Sequence, residues 1–335
     1  MSVGVVGLGL IGGSIALGLQ KKTEVIGVDL SPQTLEIAQK RGICTRVSSD
    51  LEILKDTDVV FVAVPLNAVV SVVQKLSQFT CVIADVGSLK MEFATLLEKV
   101  PNYLGTHPMA GREKGGIDSS DGALFENALW VVDCTRPAYL IKRVTPYIEA
   151  LGAYTFLLDP LTHDRMVAAV SHLPHLVAVA LTIAAARCSL EDDRYFLLAA
   201  SGFRDTTRIA SGDPYLWQQI LSQSPFTVFN ELMQTDDLTD YLSEAKLIRE
   251  KLPQMGKGVV GEIFSLVIAI EDRPGAIGEV TSLLAKEHIN IKEIEIIRQR
   301  EGETGPLRLG FESSQKAMTA FKLLKELGYT LEARW

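Results

Sequence analysis

Apolar residues recur along this 335-residue chain at changing intervals, and each change of interval marks a change of structure. Ser2 to Val6 is a short apolar run suited to a buried strand. Gly7-Leu8-Gly9-Leu10-Ile11-Gly12 follows it, and Gly13 to Gln20 is compatible with a helix. Glu24 to Val28 is a second strand candidate that ends at Asp29. Further β-rich runs at Val59 to Val64, Cys81 to Val86 and Trp130 to Asp133 are separated by helical stretches, so residues 1–158 predict an α/β doubly wound sheet. The pattern changes after Leu158-Asp159-Pro160. From His163 to about Leu252 apolar positions keep helical spacing without β-alternation, which predicts an all-α domain over 159–255. Its run Leu173 to Ala186 is apolar on both faces, which calls for cover by other helices and by a partner subunit. Pro253-Gln254-Met255-Gly256-Lys257-Gly258 reads as a linker. Beyond it, residues 260–335 follow the order βαββαβ: strands at Phe264 to Ile270, Ile291 to Arg298, Leu307 to Glu312 and Thr330 to Arg334, helices at Gly278 to His288 and Ser314 to Leu327. That order is ferredoxin-like.

Composition narrows the setting. With 47% hydrophobic and 22% charged residues the chain is globular, and its net charge of -8 argues against a nucleic-acid partner. Four dispersed cysteines, Cys44, Cys81, Cys134 and Cys188, read as reduced thiols of a cytoplasmic protein. His172-Leu173-Pro174-His175, with His163 upstream, is the tightest group of metal-ligand types. No metal is expected there, because Pro174 interrupts the helical face that paired ligands need. No membrane attachment is expected either: Ser2 to Leu19 is uncharged but glycine-rich and lacks basic residues at its start, and Leu176 to Ala186 is too short to cross a bilayer.

Strand, glycine turn, helix, strand and acidic residue within about thirty residues is the context in which GxGxxG signals a Rossmann-type dinucleotide site. Gly7, Gly9 and Gly12, with Leu8, Leu10 and Ile11 between them, let the backbone approach a pyrophosphate at the start of the next helix. Asp29 stands where a carboxylate accepts hydrogen bonds from ribose hydroxyls and repels a 2′-phosphate, which favours NAD over NADP. Two more motifs follow later strands: Asp85-Val86-Gly87-Ser88-Leu89-Lys90 and Gly105-Thr106-His107-Pro108-Met109-Ala110-Gly111. Ser88 offers a hydroxyl to orient the imidazole of His107, near the nicotinamide. His163, Asp164, His172 and His175 open the helical region, and Arg208 in Ser201-Gly202-Phe203-Arg204-Asp205-Thr206-Thr207-Arg208 has the planar fork that clamps a carboxylate. Scattered surface histidines and a surface ion-pair arginine are the plain alternatives.

Taken in order, GLGLIGGS, DVGSLK, THPMAG, SHLPH, SGFRDTTRI and GDPYLW resemble the prephenate and arogenate dehydrogenases of tyrosine biosynthesis across residues 1–255. The resemblance implies NAD-dependent oxidative decarboxylation of prephenate, with His107 as base for the ring hydroxyl and Ser88 orienting it. It implies His175 and Arg208 in substrate binding, Trp217 lent to the neighbouring subunit's site in a homodimer, and Glu113 and Asp164 as acidic residues gating the pocket. The same chemistry on arogenate is the nearest alternative, and a non-catalytic NAD or amino-acid sensor a more distant one. Residues 260–335 resemble an ACT domain. Asp272, Gly275 and Gly278 in its first loop imply an amino-acid effector, tyrosine in such a pathway, with a purely dimerising role as the alternative.

Overall fold

The computed structural model describes residues 2–112, 114–188, 193–212, 214–221, 264–271, 273–296 and 305–334. The chain divides into two units, Met1–Lys246 and Leu247–Trp335.

In the first unit, β1 (Ser2–Val6), β2 (Glu24–Val28), β3 (Arg46–Ser48), β4 (Val59–Val62), β5 (Val82–Asp85), β6 (Tyr103–Pro108), β7 (Leu129–Asp133) and β8 (Tyr154–Leu158) make one sheet. Its order is β3-β2-β1-β4-β5-β6-β7-β8. Strands β1 to β6 are parallel; β7 runs antiparallel to β6, and β8 pairs with β7 in parallel. The direction of winding reverses between β1 and β4, so a crevice opens at their carboxyl ends, the place where open α/β sheets bind ligands. Strands β4 and β5 are buried on both faces, which is why they read as unbroken apolar runs. On one side the sheet packs α1 (Leu10–Leu19) and α5 (Ala138–Ala150) through Ile15, Leu19, Leu140, Val144 and Ile148. On the other it packs α3 (Leu66–Leu76) and α4 (Met91–Leu96) through Val69, Val73, Leu76 and Phe93. The antiparallel β6–β7 pair was not legible in the spacing, because both strands carry the same buried apolar pattern as their parallel neighbours.

After β8 the chain turns helical where the pattern changes. Asp159 caps α6 (Pro160–Val167), its carboxylate accepting from the Thr162 amide at 2.9 Å, and Pro160 occupies the first turn, where no amide is needed. A wide π turn, Ala168–His172, joins α6 to α7 (Leu173–Cys188). Pro174 is therefore absorbed by a local widening instead of breaking the helix. The continuous helix Pro160–Cys188 has 29 residues and contains an 18-residue stretch of mean hydropathy 1.8, long and apolar enough by length and composition alone to cross a membrane, a property that the core helices of globular proteins share; the run Leu176 to Ala186 is one part of it. Only His175 and Ala178 of α7 are buried, so among the described residues the expected cover on both faces is not found. Val170, Leu181 and Ile183 remain exposed. Next come α8 (Ser201–Thr207), a 3-10 turn (Arg208–Ser211) and α9 (Pro214–Leu221). Ile220 of α9 inserts into the α3–α4 side of the sheet's core, with Trp217 against the same cluster.

The second unit pairs β9 (Phe264–Ile270), β10 (Glu293–Ile296), β11 (Gly305–Phe311) and β12 (Leu331–Arg334) as an antiparallel sheet in the order β10-β11-β9-β12. Helices α10 (Ala276–Lys286) and α11 (Ser314–Glu326) pack on it through Val280, Leu284, Ala317, Ala320 and Leu324. This is the ferredoxin-like arrangement read from the sequence. The proposed linker at 253–258 and the end of the strand assigned to Ile291 to Arg298 lie outside the described residues.

Candidate active site

The glycine turn is built by what its residues lack. Gly7 sits at φ +87°, a left-handed conformation that other residues rarely adopt, and its amide donates to the Val28 carbonyl at 2.8 Å. A Cβ on Gly12 would stand 1.8 Å from the Gly7 carbonyl oxygen, whereas one on Gly9 would meet nothing within 4 Å. Gly7 and Gly12 thus shape the turn, and Gly9 leaves open space beside it. The start of α1 has no side-chain cap, so its first amides, from Leu10 onward, are available to an anion. Asp29, at the end of β2, accepts from the Leu8 amide at 2.8 Å and the Ser31 amide at 2.9 Å. The carboxylate is held in place with lone pairs to spare for hydroxyl donors. These features fit a dinucleotide.

Across the crevice, side chains do the building. His107 lies inside β6 as its penultimate residue, not after the strand as the motif suggested. Its Nδ1 is 2.9 Å from Nε2 of His163, and His163 Nδ1 is 2.7 Å from Asp164 Oδ1. The two rings meet edge to face, with centroids 5.1 Å apart. Asp164 also accepts from the amides of Lys90 (2.9 Å) and Met91 (2.8 Å), groups at the start of α4 that have no capping side chain of their own. One carboxylate therefore fastens α6 to α4 and delivers His163 to His107. Beneath them Lys90, fully enclosed, forms an ion pair with buried Asp85. Asp85 further accepts from the Tyr103 hydroxyl at 2.8 Å and the Gly87 amide at 2.9 Å.

Loss of water, and then the neighbouring His163, Lys90 and His172, hold the His107 imidazolium well below the ordinary histidine range, so the ring is neutral near pH 7. Burial likewise pushes His172 down to about 4 and lowers His175. For Asp164 burial pushes upward, but hydrogen bonds from His163 and from the Met91 and Lys90 amides outweigh it and keep the carboxyl below its usual value.

Other expected site residues are placed differently from one another. His175 stacks on Trp217, ring centroids 3.5 Å apart and planes within 10°, and His172 meets the same indole edge-on at 6.1 Å. A Cβ on Gly212 would come within 2.5 Å of Trp217 Nε1, so the glycine of GDPYLW makes room for this stack. Trp217, expected to serve the neighbouring subunit, thus rests on a histidine of its own chain. Arg208 is exposed at the start of a 3-10 turn that packs on α7, the helix bearing His175. The Ser88 hydroxyl is enclosed and makes no hydrogen bond; His107 is held by His163 rather than by Ser88. Glu113 and Asp272 lie outside the described residues. In the second unit Gly275 takes φ +92° as the residue before α10, and Gly278 falls inside that helix rather than in the loop. His163 had no assigned role in the sequence; its adjacency to Asp164 was visible, but its pairing with a residue 56 positions away was not.

An open anion site at a glycine turn, with a neutral imidazole in a buried network on a later strand of the same sheet, fits an NAD-dependent dehydrogenase. Family models agree: residues 15–156 match "Prephenate dehydrogenase, nucleotide-binding domain", 159–256 match "Prephenate dehydrogenase, dimerization domain" and 264–313 match "ACT domain". The prephenate dehydrogenase of Bacillus subtilis is 32% identical over 340 positions, covering 92% of this chain and 91% of that protein. A structure of prephenate dehydrogenase from A. aeolicus, in complex with hydroxyphenyl propionate and NAD+, superposes with a TM-score of 0.68 at 28% identity, covering 75% of this chain and 98% of that one. Synechocystis arogenate dehydrogenase superposes at 0.59 with 32% identity over 75% of this chain and 96% of that one. The chain belongs to the prephenate dehydrogenase family.

Proposed function

We propose that this chain catalyses the NAD-dependent oxidative decarboxylation of prephenate to 4-hydroxyphenylpyruvate in tyrosine biosynthesis, as a cytoplasmic homodimer. The observation that carries the reading is His107, held neutral at the carboxyl end of the sheet within a fixed network. A neutral imidazole accepts the ring hydroxyl proton; as hydride leaves the same carbon, the ring carboxylate departs as carbon dioxide and the ring becomes aromatic. Bound NAD supplies the hydride acceptor. Gly7, Leu8, Gly9, Leu10, Ile11 and Gly12 hold its pyrophosphate and Asp29 its ribose. Ser88, enclosed and without a partner, is free to bond a ligand. Arg208 clamps a substrate carboxylate, with His175 and Trp217 as the wall beside it, and Glu113 and Asp164 keep the gating role that the family resemblance implies. Functional division falls at 1–158, 159–255 and 260–335. Exposed Leu161, Met166, Val170 and Ile183 on the long helix supply the apolar face that a second copy covers.

Regulation falls to the second unit, where tyrosine binds near Asp272, Gly275 and Gly278, at the uncapped start of α10. One set of assays tests the reading: NADH formation by the purified chain with prephenate or arogenate, NAD or NADP, with and without tyrosine. Prephenate with NAD should turn over fastest, NADP at least about tenfold more slowly, the equivalent of one lost interaction of about 1.4 kcal/mol. Faster turnover of arogenate would reassign the substrate, and no NADH from either would remove the enzyme reading. Tyrosine should inhibit the native chain but not a Gly278→Asp variant, whose Cβ has open space beside the helix and whose added carboxylate repels the effector's. Equal inhibition of both places tyrosine at the active site.

A further inference from the structure

With His163 carrying a single ring proton, the protons along Asp164, His163 and His107 have one consistent arrangement. The Lys90 and Met91 amides are donors only, so the Asp164 carboxylate that receives both is an acceptor. Its Oδ1 also lies 2.7 Å from His163 Nδ1, which must then carry a proton. In a neutral His163 that leaves Nε2 bare. Nε2 sits 2.9 Å from His107 Nδ1, and two bare nitrogens do not attract at that distance, so His107 must supply the proton there. A neutral His107 with its proton on Nδ1 has a free lone pair on Nε2.

We propose that Asp164 and His163 are positioning residues that fix the tautomer of His107, leaving its Nε2 as the base that takes the substrate's hydroxyl proton. The proposal deepens the reading of His107 as the base and rests on it. Its backbone anchors give it rigidity: Asp164 cannot swing away without stripping two amides at the start of α4 of their acceptor. It also favours the reaction itself. When His107 Nε2 takes the proton, its Nδ1–H bond to His163 becomes charge-assisted and therefore stronger in the transition state than in the ground state. His163 need not gain or lose a proton for this. The groups facing His107 are His163, Lys90 and His172, and the Lys90 cation, neutralised by Asp85, is the fixed charge among them. A protonated His163 would donate through both nitrogens, reverse the bond to His107 and move that ring's proton onto Nε2, where it could no longer act as base.

The test combines nitrogen NMR of ¹⁵N-histidine-labelled full-length protein with kinetics of His163→Leu and His163→Gln. In the native protein near pH 7, His107 should show a protonated Nδ1 and a bare Nε2. His163→Leu should lower kcat about a hundredfold or more with little change in KM, because the wrong tautomer then competes. His163→Gln places an amide oxygen where Nε2 was, accepts from His107 Nδ1, and should recover kcat to within about tenfold of native. NADH binding by fluorescence reports whether each variant is folded; if His163→Leu is not, the native NMR spectrum and His163→Gln decide. A proton found on His107 Nε2, or a folded His163→Leu with native kcat, overturns the proposal. Failure of the native chain to oxidise either cyclohexadiene would instead overturn the functional reading, while the native spectrum still reports on the tautomer.

Discussion

The glycine turn after β1 and the long helix that starts at Pro160 build the two sides of one crevice by opposite means. Around Gly7, Gly9 and Gly12 the site is made of backbone, and side chains are absent because they would collide with the Gly7 or Ala63 carbonyl or fill the space an anion needs. Along the helix from Pro160 the backbone is helical with one π turn at Ala168–His172, and the site is made of buried imidazoles and a part-buried carboxylate. Backbone sites tolerate almost no change at a few positions and contain no side chain whose protonation decides their function. Side-chain sites tolerate changes of shape but depend on proton placement, because each buried nitrogen must be either donor or acceptor.

The sharpest separation of the two halves comes from His107→Asn. Removing the base should lower kcat by about a hundred- to ten-thousand-fold, the usual worth of general-base assistance, while NAD affinity stays at its native value. Turnover near normal would show that the imidazole network does not act in the reaction.

Within the glycine turn a pair of variants makes the opposite distinction. Gly12→Ala forces a Cβ to within 1.8 Å of a carbonyl oxygen and should cost about 1–3 kcal/mol of stability as well as NAD affinity. Gly9→Ala meets no protein atom within 4 Å and should melt like the native protein while binding NAD more weakly. Thermal melts and NADH fluorescence titrations measure both. If Gly9→Ala melts early, or binds NAD normally, the turn is not the open cradle described.

The same contrast explains what was legible in the sequence. A backbone site is contiguous in sequence: strand, three glycines and the acid at position 29 fall within one βαβ unit, and Asp29 indeed lies across from the Leu8 amide. The ferredoxin-like order of the second unit was legible for the same reason, since its elements follow one another with clear changes of period. Side-chain networks are assembled across the fold. His107 and Asp164 each stood out, but their connection through His163 depends on α6 docking on α4, and sequence spacing says nothing of docking. Ser88 was matched to His107 because both follow strands that end in the crevice, yet the chain from β5 to α4 carries the Ser88 hydroxyl into an enclosed place without a partner. The family resemblance implies Trp217 in the neighbouring subunit's site, and nothing in the spacing shows that Gly212 leaves room for the indole to lie on His175 of its own chain.

The smallest expected effect is on acid stability, and it too separates the halves. Burial lowers the folded-state pKa of His107, His172 and His175 relative to an unfolded value of about 6.5. Below that pH the unfolded chain takes up protons that the folded chain refuses, so stability present at neutral pH is lost as pH falls, beginning near 6.5 and continuing toward the folded value of about 4 for His172. Asp164 does not oppose this within that window: its carboxyl is lowered in the folded state, so its own contribution is lost only at lower pH. Each such histidine adds at most about 1.4 kcal/mol per pH unit, fully only where the unfolded form is protonated and the folded form is not. Urea unfolding of native protein and His172→Gln between pH 7 and 4.5 measures the slope. The variant should lose stability less steeply on acidification, and equal slopes would mean that His172 is not held neutral by the fold. Gly9→Ala changes no titrating group, and its slope should match that of the native chain, so that acid acts on the side-chain half of the crevice and leaves the backbone half unaltered.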